Sequence, residues 1–377
     1  MLAILVVLAG CAARDDGGAG ERRIALEPTL AGFRADTFVA LDRALERAVL
    51  EKGDVPGAVL SVGRRGVVVY ERALGRCGPL GETWLPVERD TLFDVASLTK
   101  PVATATAAAL LVCRGDLAPQ SEIGGHALDL LLRHGVGLPE YVDWQALARV
   151  GEEVPLGEAL HLATIGASPG TRGYSNVGYL MVSSHIETLT GEDLESLLRR
   201  EVWGPLGMEH TTFQPLRRAR ANIARTHAER EAGRPYDPLA DYVLERRPGH
   251  LPGHSGLFTT AGDLTAFCQR LLNPTAEWTC VAGYLLDAQS RLAGETPEGG
   301  TLRVTGRRGR TPAFDPENSW TGEGALYHTG YTGCLMWLDR RSGVSVVLLT
   351  NATLDGNPQA AQDLQREVVR EVRRGLR

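Results

Sequence analysis

Phe93-Asp94-Val95-Ala96-Ser97-Leu98-Thr99-Lys100-Pro101-Val102 leads into a stretch, Ala103 to Val112, that is apolar or small apart from Thr104 and Thr106. A helix apolar nearly all round is a buried helix rather than a surface one. Pro101 falls in its first turn, where a missing N–H costs little. Ser97 and Lys100 stand three residues apart and so share one face of that turn. Of the 40 lysines and arginines only two are lysine, Lys52 and Lys100. Arginine stays charged in proteins, whereas a buried lysine shifts its pKa readily and can act as a base. A serine beside such a base is an activated nucleophile. Ser-x-x-Lys also arises by chance, and an N-capping serine with a solvated lysine would give the same letters. The apolar run that follows argues against that surface helix.

Two further segments carry chemistry. Tyr174-Ser175-Asn176 follows Pro169-Gly170-Thr171 and precedes Val177-Gly178-Tyr179. Read blandly, Ser175 or Asn176 caps the next helix. Read functionally, the Tyr174 phenol approaches Ser97 and Lys100; a neighbouring ammonium would lower its pKa and let it accept and return a proton. Asn176 would then donate to a substrate carbonyl. His328-Thr329-Gly330 lies in a predicted strand and runs into Tyr331-Thr332-Gly333. Glycine in a strand often marks close backbone approach, and a strand edge beside a nucleophile can lend an N–H to an oxyanion hole.

In this order the three boxes, Ser97-x-x-Lys100, Tyr174-x-Asn176 and His328-Thr329-Gly330, resemble those of the serine β-lactamase and penicillin-binding-protein family, in its class C-related esterase and D,D-peptidase branch. The likeness extends to Phe93–Lys100, to Leu131–Pro139 (similar to the family's LLTHTSGLP loop), to Pro205-Leu206-Gly207-Met208 and to Gly253-His254-Ser255-Gly256-Leu257-Phe258, within residues 55 to 351. The resemblance implies an α/β (α+β) fold of the β-lactamase/transpeptidase type, an antiparallel sheet flanked by helices with a mostly helical second subdomain. It implies that Ser97 is acylated, that Lys100 and Tyr174 share the base work, and that the Ser97 and Tyr331 N–H groups hold the oxyanion. Asn176, His328, Thr329, Gly330 and Tyr331 would contact substrate. His328 stands where the lactamases carry lysine, so a neutral histidine would offer a hydrogen bond in place of a fixed charge. His254 reads as a packed turn residue.

The 377 residues, with 43% hydrophobic and 23% charged side chains, suit a soluble globular protein. A net charge of −6 offers no bulk attraction to nucleic acid. Leu2 to Leu8 form an apolar run too short to span a bilayer. Leu8-Ala9-Gly10-Cys11 resembles the lipobox of bacterial lipoproteins, which implies lipidation at Cys11, an anchor in the cell envelope and a tether through Gly20. Five cysteines remain, Cys77, Cys113, Cys268, Cys280 and Cys334, so at least one thiol stays free or pairs outside the chain. No C-x-x-C or H-E-x-x-H occurs, and neither a metal nor another cofactor is expected.

Residues 36–51 have helical spacing, Gly57–Gly63 and Val67–Tyr70 read as a hairpin, and a loop is expected over 75–90. The stretch from 121 to about 290 is mostly helical. Strands return at Leu326–His328, Gly333–Leu338 and Val344–Leu349, and the amphipathic residues from about 359 predict a last helix. Residues 1–20 are expected as leader and tether, and 21–377 as one hydrolase domain. Its sheet part would span about 21–96 with 300–377, and its helical part 97–299.

The function expected is an envelope serine hydrolase acting on a small-molecule or peptidoglycan-derived substrate, an ester or a D-amino-acid amide. A D,D-carboxypeptidase, a β-lactamase proper, and a slowly deacylating lipoprotein that senses peptidoglycan or β-lactams are the alternatives. An α/β-hydrolase would need G-x-S-x-G, and Gly253-His254-Ser255-Gly256-Leu257 fails at its last position.

Overall fold

The computed structural model describes residues 22–80, 83–140, 156–164, 173–215, 222–226, 253–286, 310–316, 318–354 and 357–377. The expected leader with Cys11, the expected tether, residues 227–252 and residues 287–309 lie outside them.

The principal strands are β1 (Arg22–Ile24), β2 (Gly57–Arg64), β3 (Val67–Leu80) and β4 (Thr83–Pro86) from the N-terminal part. Short β5 (Phe93–Asp94), β6 (Glu122–Ile123), β7 (His126–Ala127) and β8 (Phe258–Thr259) follow. The C-terminal part adds β9 (Asp315–Pro316), β10 (Ala325–Thr329), β11 (Leu335–Asp339) and β12 (Val344–Thr350). Strands from both ends of the chain join in one antiparallel sheet of order β1-β3-β2-β12-β11-β10-β9. Its seam is the pairing of β12 with β2, from Val344 opposite Arg64 to Thr350 opposite Ala58.

Local chemistry sets the turns. Arg65 and Gly66 both adopt positive φ (54° and 84°), the two-residue geometry whose twist matches a hairpin. Gly343 closes the β11–β12 turn through its N–H to Asp339 O. The expected loop over 75–90 is corrected. β3 runs on to Leu80 and pairs with β4, from Arg76 opposite Pro86 to Leu80 opposite Thr83, with a bulge between Arg76 and Gly78. The Gly and Pro residues there mark that irregular extension rather than the end of the strand.

Side chains two apart serve one face of the sheet. Ala58, Leu60 and Val62 of β2, Leu335 and Trp337 of β11, and Val346 and Leu348 of β12 share a core with Phe38, Leu41 and Leu45 of α1 (Thr37–Glu46). The C-terminal helix closes the same core through Leu364, Val368 and Val372. The alternate residues Val59, Met336, Leu338, Val347 and Leu349 face the other core. There lies the nucleophile helix, continuous from Ala96 to Arg114 and mostly buried. Its regular part is α2 (Thr106–Arg114). Each large side chain so buried stabilises by about 1.5–3 kcal/mol.

The core around α2 is shared by α3 (Leu128–Leu132), α4 (Leu156–Thr164), α5 (Asn176–Thr190), α6 (Leu194–Leu198), α7 (Ala261–Leu272) and α8 (Thr279–Leu286). The C-terminal helix is α9 (Pro358–Gly375). A disulfide links Cys113 at the end of α2 to Cys280 in α8, while Cys77, Cys268 and Cys334 are buried thiols.

Candidate active site

Ser97 lies in a tight turn, Ala96–Leu98, that leads through a wide turn at Lys100–Ala105 into α2. Ala96, just before it, has φ +46°, a region non-glycine residues seldom occupy. Two hydrogen bonds hold that strained residue: the Ala96 N–H donates to Asp94 Oδ1 at 2.8 Å, and Thr99 Oγ1 donates to Ala96 O at 2.7 Å. Strain retained in this way is characteristic of functional sites.

Lys100 is fully buried. Its Nζ donates to Ser97 Oγ at 3.1 Å and to the main-chain carbonyl of His254 at 2.9 Å. It also lies 4.7 Å from the centre of the Tyr174 ring and 5.7 Å from that of Tyr179. The segment supplying the His254 carbonyl runs flush against the nucleophile helix. Gly253 O accepts from Thr104 Oγ1, and a Cβ at Gly253 would meet Thr104 Oγ1 and Ser183 Cβ at 2.3 Å. Leu257 N donates to Thr99 Oγ1, and β8 pairs with β5. His254 therefore matters through its main chain, which side-chain chemistry does not reveal; its ring meets Ser255 Oγ at 3.0 Å.

Tyr174 lies beside this pair, with Lys100 Nζ over its ring and its phenol within the influence of Ser97. Its phenol was expected to have a lowered pKa beside the lysine. The structure reverses this: burial is the largest influence and pushes the phenol well above its ordinary value, against the opposing pull of Ser97 and Arg310. Tyr174 thus sits at Ser97 as a protonated phenol. Ser175 caps α5, accepting the Gly178 N–H, and Asn176 is the first residue of that helix. The Asn176 side chain is largely buried, and its Oδ1 has no hydrogen-bond partner among the described residues.

The edge of β10 meets the nucleophile turn where Gly330 follows His328 and Thr329. A Cβ on Gly330 would lie 2.5 Å from Val95 O, so no other residue fits without displacing the chain before Ser97. Thr332 Oγ1 donates to Asp94 O at 2.8 Å and fixes the same approach. Tyr331 lies between these contacts with its side chain 68% exposed.

His328 is buried and both its ring nitrogens are engaged. Nε2 lies 3.5 Å from Arg310 Nη2, and Nδ1 lies 2.9 Å from Thr329 O. A guanidinium can only donate, so Nε2 accepts and Nδ1 carries the proton. Burial, and after it the Arg310 charge, pushes the pKa of His328 down to about 3. The ring is therefore neutral as expected, but its hydrogen bonds are already committed within the protein.

Arg310 and Asp315 are the site residues that sequence reasoning missed. Arg310 is almost completely buried, pairs with Asp315 and, through its carbonyl, accepts from Arg133 Nη1 at 2.6 Å. Arg133 is in turn paired with buried Asp129 at 2.9 Å. In the sequence Arg310 closes the run Arg307-Arg308-Gly309-Arg310, and nothing local in that run marks one of its arginines as buried. Among the described residues no cluster of three or more His, Cys, Asp or Glu could hold a metal.

The assembled geometry can move a proton from a serine hydroxyl to an amine and return it through a phenol, next to main-chain N–H groups able to face an oxyanion. Comparison with known proteins gives the family and the fold. The sequence profile of the family described as Beta-lactamase matches residues 43–370. A protein of Escherichia coli (strain K12) named "Putative D-alanyl-D-alanine carboxypeptidase" is 26% identical over 377 residues, 86% of this chain and 84% of that protein. A mutant of simvastatin synthase from Aspergillus terreus superimposes with a TM-score of 0.68 at 19% identity, over 90% of this chain and 98% of that one. A class C β-lactamase from Rhodobacter sphaeroides gives 0.63 at 20% identity, over 88% and 99%.

Proposed function

The chain belongs to the Beta-lactamase family and is a serine hydrolase, and from that premise we propose that it works in the cell envelope, cleaving an ester or a D-amino-acid amide through an acyl-enzyme on Ser97. The observation that carries the reading is the 3.1 Å contact between Ser97 Oγ and the buried Lys100 Nζ, with the Tyr174 ring centre 4.7 Å from the same Nζ. In the acylation step Ser97 Oγ attacks the carbonyl carbon and its proton passes to Lys100. The N–H groups of Ser97 and Tyr331 hold the oxyanion. Tyr174, kept protonated by burial, relays a proton to the departing alcohol or amine and is reprotonated from Lys100. Water then attacks the acyl-enzyme by the reverse of these transfers. Asn176 orients the acyl donor.

A D,D-carboxypeptidase is the finer reading that the E. coli relative's name supports. Arg310 is buried and paired with Asp315, and Lys100 is a second buried amine beside Ser97; basic groups gathered in this way suit an acyl donor that carries a carboxylate. The Cys113–Cys280 disulfide supports an oxidising compartment outside the cytoplasm. The lipobox-like Leu8–Cys11 supports a lipid anchor there.

A panel of p-nitrophenyl esters, D-Ala-D-Ala peptides and nitrocefin, assayed with purified protein and its Ser97→Ala variant, tests the proposal. Turnover of an ester or peptide with a mass increment on Ser97 is expected, and Ser97→Ala should abolish both. Activity that persists in Ser97→Ala would reject the assignment.

A further inference from the structure

We propose that His134 is a positioning residue for Tyr174, setting the phenol against Ser97 by accepting the Ser175 N–H and stacking on the Tyr174 ring; the inference rests on the acyl-enzyme reading above. Tyr174 belongs to no regular element. It precedes the Ser175 cap of α5, and nothing in a helical or strand ladder fixes its backbone. Among the described residues, the hydrogen bonds that hold Ser175 and Asn176 to other segments run to one stretch of chain. Ser175 N–H donates to His134 Nδ1 at 3.0 Å, Ser175 Oγ donates to Pro139 O at 2.7 Å, and Asn176 N–H donates to Glu140 O at 3.1 Å. Of these three anchors only His134 also touches the phenol, its ring centre lying 4.5 Å from that of Tyr174. The same ring lies 5.3 Å from Tyr179.

The residue is kept there at a cost. His134 has φ +56° where the chain reverses after α3, closed by Gly135 N–H to Leu130 O at 2.7 Å. Left-handed backbone costs a non-glycine residue about 1–2 kcal/mol. With Nδ1 accepting, the proton sits on Nε2, and that buried N–H finds no acceptor among the described residues. An orphaned buried donor costs about 1–3 kcal/mol. Glycine would relieve both penalties but would leave the buried Ser175 N–H without its acceptor and the Tyr174 phenol without the ring beside it. A neutral imidazole meets both demands of the Tyr174 segment, an acceptor for the Ser175 N–H and a flat ring for the phenol. Burial, then the charges of Arg310 and Lys100, keep His134 unprotonated and the Nδ1 lone pair available.

Three variants of the full chain test this: His134→Asn, His134→Phe and His134→Gly. Asparagine tolerates positive φ and can present Oδ1 where Nδ1 was. Phenylalanine keeps a ring without an acceptor. Glycine relaxes the backbone and lacks both, so it keeps the test open if the Phe variant does not fold. The readouts are the acylation burst with a p-nitrophenyl ester, KM, and the melting temperature. We expect the Phe and Gly variants to acylate slower by about tenfold or more, with KM within about twofold, because small misplacements of a reacting group are costly. We expect Asn to recover to within about threefold of the wild-type rate with an unchanged pH profile. Wild-type acylation rates in His134→Gly, or an Asn variant no faster than Gly, would overturn the proposal. Wild-type protein that shows no mass increment on Ser97 would instead remove the acyl-enzyme reading on which the inference stands.

Discussion

Replacing Lys100 by arginine keeps a positive charge next to Ser97 but removes the group able to surrender its proton. The buried pocket around Nζ is also shaped for a single point donor, shared between Ser97 Oγ and His254 O. Lys100→Arg is therefore expected to lower the acylation rate by about a thousandfold or more, in the range that loss of general base catalysis reaches. Stopped-flow bursts would show it, and near-normal rates would mean that only charge was needed. Ser97, Lys100 and Tyr174 were open to reading because their chemistry depends on residue type and, for the first two, on one helical turn. Arg310 was not, since nothing local separates an arginine facing Asp315 inside the protein from one in water. Nor was the protonation of Tyr174: a lysine neighbour can be guessed from a motif, but the burial that outweighs it is a property of the assembled fold.

At the scale of elements, the approach of β10 to the nucleophile turn is the contact with least slack. Gly330 has backbone, not a flexible side chain, against it, namely Val95 O at 2.5 Å from an added Cβ. Gly330→Ala must push the strand away from the turn that carries Ser97, shifting the Tyr331 N–H relative to the Ser97 N–H. Loss of one oxyanion donor costs about 10²–10³ in kcat, and a fall of that order with KM little changed is expected in steady-state assays. An unaltered kcat would show that Tyr331 N–H is not a donor to the transition state. The glycines of His328-Thr329-Gly330 and Tyr331-Thr332-Gly333 point to close approach from the sequence alone, because a missing Cβ is written there. The extension of β3 to Leu80 was hidden for the converse reason: Gly75 and Gly78 read as loop, yet they serve an irregular edge that pairs with β4.

Across the whole molecule, a strand of the N-terminal part and the last strand meet at the β2–β12 seam, and their apolar runs made those strands visible while leaving their order to tertiary packing. The disulfide adds a second long-range closure, joining residues 167 apart. The chain-entropy argument puts its contribution at about 2–5 kcal/mol; Cys113→Ala or reduction should lower the melting temperature clearly while leaving Ser97 acylation at 25 °C intact, which calorimetry and a burst assay together would check. Acid is the other global stress. His328 is neutral in the folded protein, with its pKa pushed down to about 3, whereas in the unfolded chain it titrates near 6.5. Its folded pKa is depressed, so the unfolded state takes up the proton first as pH falls. Stability from this residue is therefore complete above about pH 6.5 and drains away toward pH 3, at about 1.4 kcal/mol per pH unit. Between pH 7.5 and 5.0 His328 alone should cost about 2 kcal/mol, and buried His134, shifted in the same direction, adds to the fall. Urea midpoints at the two pH values should drop less in His328→Asn than in wild type, by roughly that 2 kcal/mol. Equal drops in both proteins would show that His328 protonates as readily folded as unfolded, and that the neutral ring bonded to Arg310 and Thr329 does not persist in solution.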